Sequence, residues 1–322
     1  MKGTVTYLAQ SVDSSLYRNG KVFTRRDRDG SDDGYHGVVT EEVQVTVNDA
    51  RRPDRSGSRR VEPHGFELLH RPLRHARLDF FDHRQVVREY YPECAEAVGQ
   101  ATGAGRVLAF DHNIRWAAGK DRKQRIADGQ QVQGPIHAVH GDYTLVSAPQ
   151  RLRDLASPPR VNDTLRSVLA EGESLLTADV VNRTLDENRR FAIINVWRNI
   201  DHRPVARDPL ALCDGQSVAP ADLVVFEIHY HDRVGENYFA KHALRHEWWY
   251  YPAMTRDEVV LIKQWDSAGA FARSGGLHAD CSPGNGNAPC TFSFHTAFND
   301  PESPADAPDR QSIEVRCIVL FD

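Results

Sequence analysis

No apolar stretch of the chain approaches the ~20 residues that a membrane-spanning helix needs. The opening Met-Lys-Gly-Thr-Val-Thr-Tyr also lacks the apolar run of a signal peptide. A membrane partner is therefore not expected, and a cytoplasmic location is. A strong charge of either sign is missing too. The net charge of −5 is mild for 322 residues and gives no reason to expect a nucleic-acid partner. Cysteine is scarce, odd in number and scattered, at Cys94, Cys213, Cys281, Cys290 and Cys317. That pattern excludes a disulfide framework and predicts free, packed thiols. Cys281 and Cys290 bracket a Pro- and Gly-rich loop that a bridge could close. With His278 they could also hold zinc, although the spacing matches no familiar zinc pattern.

What the chain does have is an ordinary core, 40% hydrophobic and 26% charged, and strand signals in quantity. Val5 and Tyr7 alternate with Thr4 and Thr6, and Val43, Val45 and Val47 alternate with polar neighbours. Residues 11–36 read as loop, as does the arginine-rich stretch 51–60, expected to face solvent. The spacing of Val86, Val87, Tyr90, Tyr91, Ala95 and Val98 predicts a helix from Asp82 to about Gln100, interrupted at Pro92 and ended by Gly103. Residues 106–110 read as a strand, 117–134 as a polar loop, and 162–169 and 177–187 as helical. Further strands are expected at 191–197, 223–229, 238–240, 247–251, 259–265 and 313–321. Many short strands separated by Pro and Gly suit a jelly roll. The expected fold is mainly β with helical additions, a double-stranded β-helix (a cupin-like barrel) forming one domain over 1–322. Residues 1–105 would supply N-terminal strands and a supporting helix, 106–150 and 191–322 the barrel core, and 151–190 a helical insert.

Candidate chemistry centres on His140-Gly141-Asp142. Side chains two apart on a strand share a face, so this imidazole and carboxylate can reach one ion. His295, from a distant strand, would add a second imidazole and leave the opposite side open, the ligand set of non-haem iron(II) oxygenases. A second His-x-Asp occurs at His278-Ala279-Asp280. It lies 17 residues before His295, too few to leave one strand, cross a barrel and return from the other side. Fifteen residues after His295 come Arg310 and Ser312, sharing a strand face with Glu314 and Arg316. A guanidinium fork matches a carboxylate, and a hydroxyl adds one bond, as a co-substrate such as 2-oxoglutarate would require. Arg316 is a rival anchor. Gln264 and Asp266 are candidates for orienting a ligating histidine. His112 and Arg115 could face the pocket, with a hydrogen-bonded core position the commoner fate of such a histidine. The aromatic run Trp248 to Tyr251 reads as core.

Six stretches, in order, carry a family resemblance: Val139-His140-Gly141-Asp142-Tyr143, Ile194-Asn195-Val196-Trp197-Arg198, Trp249-Tyr250-Tyr251-Pro252, Lys263-Gln264-Trp265-Asp266-Ser267, His295-Thr296-Ala297-Phe298 and Arg310-Gln311-Ser312-Ile313-Glu314-Val315-Arg316. The set resembles iron- and 2-oxoglutarate-dependent dioxygenases of the cephalosporin-synthase type. It is more similar still to the group around the cephamycin 7-alpha-hydroxylase component and the fungal gibberellin-desaturase-like proteins. The likeness runs from about Val43 to the C-terminus. It implies Fe(II) on His140, Asp142 and His295, 2-oxoglutarate anchored by Arg310 and Ser312, and O2 as the oxidant. Arg198, Trp197, Tyr143, Arg115, Gln264 and Arg316 become candidate substrate-binding or supporting residues. The implied reaction hydroxylates or desaturates a small secondary metabolite while 2-oxoglutarate becomes succinate. The chain departs from its apparent relatives at 275–289, which looks like an insertion. Three readings compete with this one: an iron enzyme that uses no 2-oxoglutarate, a zinc hydrolase on the same ligands, and a non-catalytic jelly-roll binding protein.

Overall fold

A computed structural model describes residues 1–27, 32–52, 58–124, 126, 131–160, 163–276 and 288–321. In chain order the strands are β1 (Lys2–Leu8), β2 (Phe23–Arg26), β3 (Asp32–His36), β4 (Thr40–Asp49), β5 (Phe66–His70), β6 (Arg106–Arg115), β7 (His140–Gly141) and β8 (Phe191–Asn199). They continue as β9 (Leu210–Cys213), β10 (Leu223–His229), β11 (Val234–Ala240), β12 (Trp248–Tyr250), β13 (Glu258–Asp266), β14 (His295–Ala297) and β15 (Ser312–Leu320). Two sheets result. The larger has the order β1-β4-β12-β9-β14-β7-β11-β10-β2-β3, and the smaller β5-β13-β8-β15-β6. Single bridges from Thr6 to Ala138 and from Leu8 to Lys241 tie β1 to segments beside β7 and β11, so the large sheet curls on itself.

Alternation predicts the edge-side strands well. Val45 and Val47 of β4 are buried while the residues between them are not. β8 shows no alternation, because both its faces are covered and every residue from Phe191 to Asn199 is buried. Asn195 on this strand reaches the carboxylate of Asp142, and Arg198 reaches Tyr90 at the start of the helix Tyr91–Thr102. That helix packs on β6, β15 and β8. The predicted break at Pro92 is a wide π-helical turn over Val86–Tyr90, which keeps the helix continuous where proline supplies no N–H. Gly103, at φ 67°, closes it in the left-handed region.

Three loop expectations are corrected. Residues 11–36 contain the hairpin β2–β3, which lacks an apolar pattern because backbone pairing to β10 and the carboxylate of Glu227, accepting from Asn19 and Gly20, hold it in place. Residues 117–134 include the helix Ala117–Asp121. In the arginine-rich stretch, Arg59 is buried, stacks on Trp249 and pairs with Asp214, while Arg51 pairs with Glu258 through both nitrogens of its fork. Helices Ser147–Asp154 and Ala178–Asp186 flank the turn Thr164–Ser167. His278, Asp280, Cys281 and most of 275–289 lie outside the described residues, while Cys94, Cys213, Cys290 and Cys317 are buried free thiols.

Arg198 illustrates how a polar residue can belong to the scaffold. It is 2% exposed and donates to the Tyr90 hydroxyl at 2.8 Å, to Arg71 O at 2.8 Å and to Arg256 O. It therefore ties the helix region to β8. Arg198→Leu is expected to cost about 2–4 kcal/mol by orphaning buried acceptors. Urea unfolding should register this loss, with metal affinity of the folded protein unchanged.

Candidate metal centre

The centre lies where the two sheets face each other. β7 pairs with β11 on one side and with β14 on the other, and in the second ladder His140 stands directly opposite His295. The two histidines, 155 positions apart in sequence, are thus cross-strand neighbours, with ring centroids 4.3 Å apart. The expectation that the second imidazole returns from the far side of a barrel is corrected. Sequence distance here becomes strand adjacency, so that argument no longer weighs against His278. Asp142 follows β7 by one residue, and its Oδ1 is 3.8 Å from His140 Nε2. One ligand atom from each of His140, Asp142 and His295 lies within 4.8 Å of the others, and all three residues are buried.

Electrostatics favour a cation on these groups. Burial, then the neighbouring His295, pushes the His140 imidazole down to about 3, so it is neutral at physiological pH. Its Nδ1 donates to Ala138 O at 2.8 Å, leaving the Nε2 lone pair toward Asp142. Burial works to raise Asp142, but the Arg316 guanidinium, both imidazoles and the Asn195 amide more than offset it and hold the carboxyl well below the usual range. Arg316 Nε donates to Asp142 Oδ2 at 3.1 Å and its Nη1 to Asp111 at 2.8 Å. Arg316 is thereby engaged as the counter-charge of Asp142, which corrects its candidacy as a co-substrate anchor.

Gln264 stands beside two of these groups. Its Oε1 accepts from the Asp142 backbone N–H at 2.9 Å and its Nε2 lies 3.5 Å from His295 Nδ1. Asp266 is engaged elsewhere. A bulge between Lys263 and Trp265 inserts Gln264 as an extra residue and turns Asp266 away, where it pairs with Lys263 and Arg190. His112 is buried and bonded to Tyr91 at 2.9 Å, and it also borders the cavity. Two residues were undervalued in sequence. Asn195 Nδ2 bridges Asp142 Oδ2, at 2.9 Å, and Glu314, and Glu314 Oε1 lies 3.8 Å from His295 Nε2. The available signal was Glu314's place between Ser312 and Arg316 on one strand face.

Ser312, Glu314 and Arg316 recur on β15 at ~7 Å intervals, so the face that holds Asp142 and meets His295 ends at Ser312 and Arg310. Arg310 is 4% exposed, donates to Asp208 O and lies over the Trp197 ring at 5.5 Å. Among the described residues its Nε and the Ser312 hydroxyl are buried without a hydrogen-bond partner, as is Asn195 Oδ1. Burial lowers the Arg310 guanidinium to about 10, still a cation at neutral pH. Two orphaned donors beside a buried cation fit a carboxylate, and two imidazoles with one carboxylate fit a divalent metal of the Fe(II) type. Beyond His140 and Asp142 opens a cavity of about 1780 Å³, walled by Arg115 and Tyr143 among others, while Arg310 and Ser312 lie outside its wall. The Trp248–Tyr251 run is largely core.

Residues 5–320 match the family described as oxidoreductase/YMDC permease-like domain. Among the described residues no helix is long and apolar enough to cross a membrane. An uncharacterised protein in the dcmA 3' region of Methylophilus leisingeri is 47% identical over 197 residues, covering 61% of this chain and 89% of that protein. The alpha-ketoglutarate-dependent dioxygenase phiK of a fungal species is 31% identical over 281 residues, 86% of this chain and 83% of that one. Among solved structures, the iron and alpha-ketoglutarate-dependent endoperoxidase NvfI superposes with a TM-score of 0.69 at 21% identity, covering 100% of this chain and 98% of its own. The chain belongs to this oxidoreductase family, and within it to the iron(II)- and 2-oxoglutarate-dependent dioxygenases.

Two substitutions probe the centre. Gln264→Leu should weaken Fe(II) affinity roughly 10- to 100-fold in calorimetry while leaving the fold intact. Arg316→Met removes the counter-charge that depresses Asp142, so the carboxyl's proton affinity rises. A proton then competes with metal at higher pH, and the pH at which binding is half lost should move upward from the wild-type value.

Proposed function

We propose that His140, Asp142 and His295 hold Fe(II), and that Arg310 and Ser312 receive the distal carboxylate of 2-oxoglutarate. The observation that carries this reading is the pair of orphaned buried donors, Arg310 Nε just before β15 and Ser312 Oγ at its first residue, on the strand whose next positions meet His295 and Asp142. Bound together, the metal and co-substrate supply the activation of O2 and the oxidation of an unactivated C–H bond, with 2-oxoglutarate leaving as succinate and carbon dioxide.

The chain's own part is orientation and charge. Arg316 and Asn195 keep Asp142 anionic and fixed in direction. Ala138 O holds the His140 ring, and Gln264 spans the Asp142 backbone and His295. Trp197, packed beneath Arg310, keeps water from the guanidinium and raises the worth of a carboxylate there. Arg115 and Tyr143 stand on the substrate side, as cavity-wall residues. The substrate on this reading is a small secondary metabolite, hydroxylated or desaturated in the cytoplasm. The curled ten-stranded sheet facing five strands supports a double-stranded β-helix, with 1–322 as one oxygenase unit and 151–190 as its insert.

Anaerobic calorimetry with Fe(II) and then 2-oxoglutarate tests the assignments. His295→Ala should lose stoichiometric metal, and Arg310→Ala should bind metal normally but need at least tenfold more 2-oxoglutarate. In turnover, succinate should appear one for one with product. Product formed without succinate would transfer the reading to an iron enzyme that draws its electrons from substrate alone. Absence of metal binding by the wild type would leave a non-catalytic barrel.

A further inference from the structure

The cavity beside the metal centre has an unusual wall. Among the described residues its lining holds three tyrosines, three valines and two isoleucines but no Phe, Trp, Leu or Met, although ligand pockets are mostly apolar and aromatic. Among the described residues that wall carries ten arginine and lysine side chains against six aspartates and glutamates, in a chain whose net charge is −5. Local charge therefore opposes the charge of the whole molecule.

Five of these ten cations are already paired: Arg18 with Glu236, Arg151 with Asp163, Arg160 with Asp154, Arg233 with Asp163 and Asp232, and Arg316 with Asp142 and Asp111. Arg115 differs. It is 7% exposed, and its side-chain hydrogen bonds among the described residues both use Nη1, to Gln133 Oε1 and Gly134 O, each at 3.2 Å. No carboxylate pairs with it among the described residues. Burial pushes its guanidinium down from the ordinary arginine value, and the nearby Glu314 and Asp142 carboxylates, neither in contact with it, offset this only in part. The two acceptors on Nη1 fix the plane of the fork and leave Nη2 and Nε for another partner. On β6, Asp111, Asn113 and Arg115 share the cavity face, and Arg115 stands opposite Ser312 in the ladder.

We propose that Arg115 is the specificity-determining anchor for an anionic group, a carboxylate or its equivalent, on the substrate of this enzyme. The substrate class is then a polar organic acid and not an apolar neutral molecule. The exposed Lys120, Lys123 and Arg166, also in the wall, add an attractive field along the entry. The inference rests on the oxygenase reading only in taking this cavity, which opens on His140 and Asp142, as the substrate's.

The test is a binding measurement without turnover. Wild-type protein loaded anaerobically with Fe(II) and 2-oxoglutarate is screened by saturation-transfer NMR against medium-chain mono- and dicarboxylic acids, each beside its methyl ester. Acids should bind and their esters should bind at least tenfold more weakly, with the difference shrinking as salt rises. Arg115→Gln should lose at least tenfold in acid affinity, with ester affinity, metal affinity and 2-oxoglutarate affinity unchanged. Esters binding as well as acids would overturn the proposal. So would a tenfold loss of 2-oxoglutarate affinity in Arg115→Gln, which would place Arg115 in the co-substrate seat. Should that variant not fold, the acid–ester comparison on the wild type decides alone. Acid binding by a protein that makes no succinate would overturn the oxygenase reading and leave this one standing.

Discussion

A carboxylate buried between two sheets must be compensated, and much of the centre follows from how Asp142 is. Removing an ion from water costs several kcal/mol, recovered only by close opposite charge and hydrogen bonds. Arg316 supplies the charge, Asn195 an amide, and Gln264 the acceptor for the neighbouring backbone N–H. Arg316 in turn needs Asp111, whose other oxygen accepts from Thr164 in the turn outside the sheets. An alternating series therefore leads from Asp142 to the helical segment at 147–186, and that segment supports the centre without touching it.

The sheets divide the labour. The large sheet brings the three candidate ligands together through the ladders of β7 and β14, and the small sheet contributes Asn195, Gln264, Glu314 and Arg316 around them. Ligand geometry is thus set by backbone pairing in one layer, and ligand charge by side chains from the other. The large aromatics are kept apart from both tasks. Trp197 and Trp249 pack in one apolar cluster and Trp248, Trp265 and Phe292 in another.

Much of this was legible in the chain because it depends on a two-residue period. His140 with Asp142, and Ser312 with Glu314 and Arg316, come together through spacing that any strand enforces. β8 and β15 were visible as apolar runs, and the helix through Tyr91 as a 3.6-residue pattern. Three things carried no such signal. The hairpin β2–β3 is held by backbone bonds and one carboxylate, which leave no mark in side-chain hydrophobicity. The adjacency of β7 and β14 is a matter of sheet order, and strand order is not written in local pattern. Asp266 was misplaced because a bulge breaks the period on which face assignments depend.

That bulge separates what the sheet needs from what the centre needs. Lys263 pairs with Ile194 and Trp265 with Ile193, so Gln264 is the one position of β13 without a partner across the ladder. Removing it would join two residues already in register and leave the neighbouring faces as they are. The amide that spans Asp142 and His295 is therefore carried by a surplus residue. A lineage could gain or lose it by a single codon insertion or deletion, retuning the metal while the scaffold around it stays in phase.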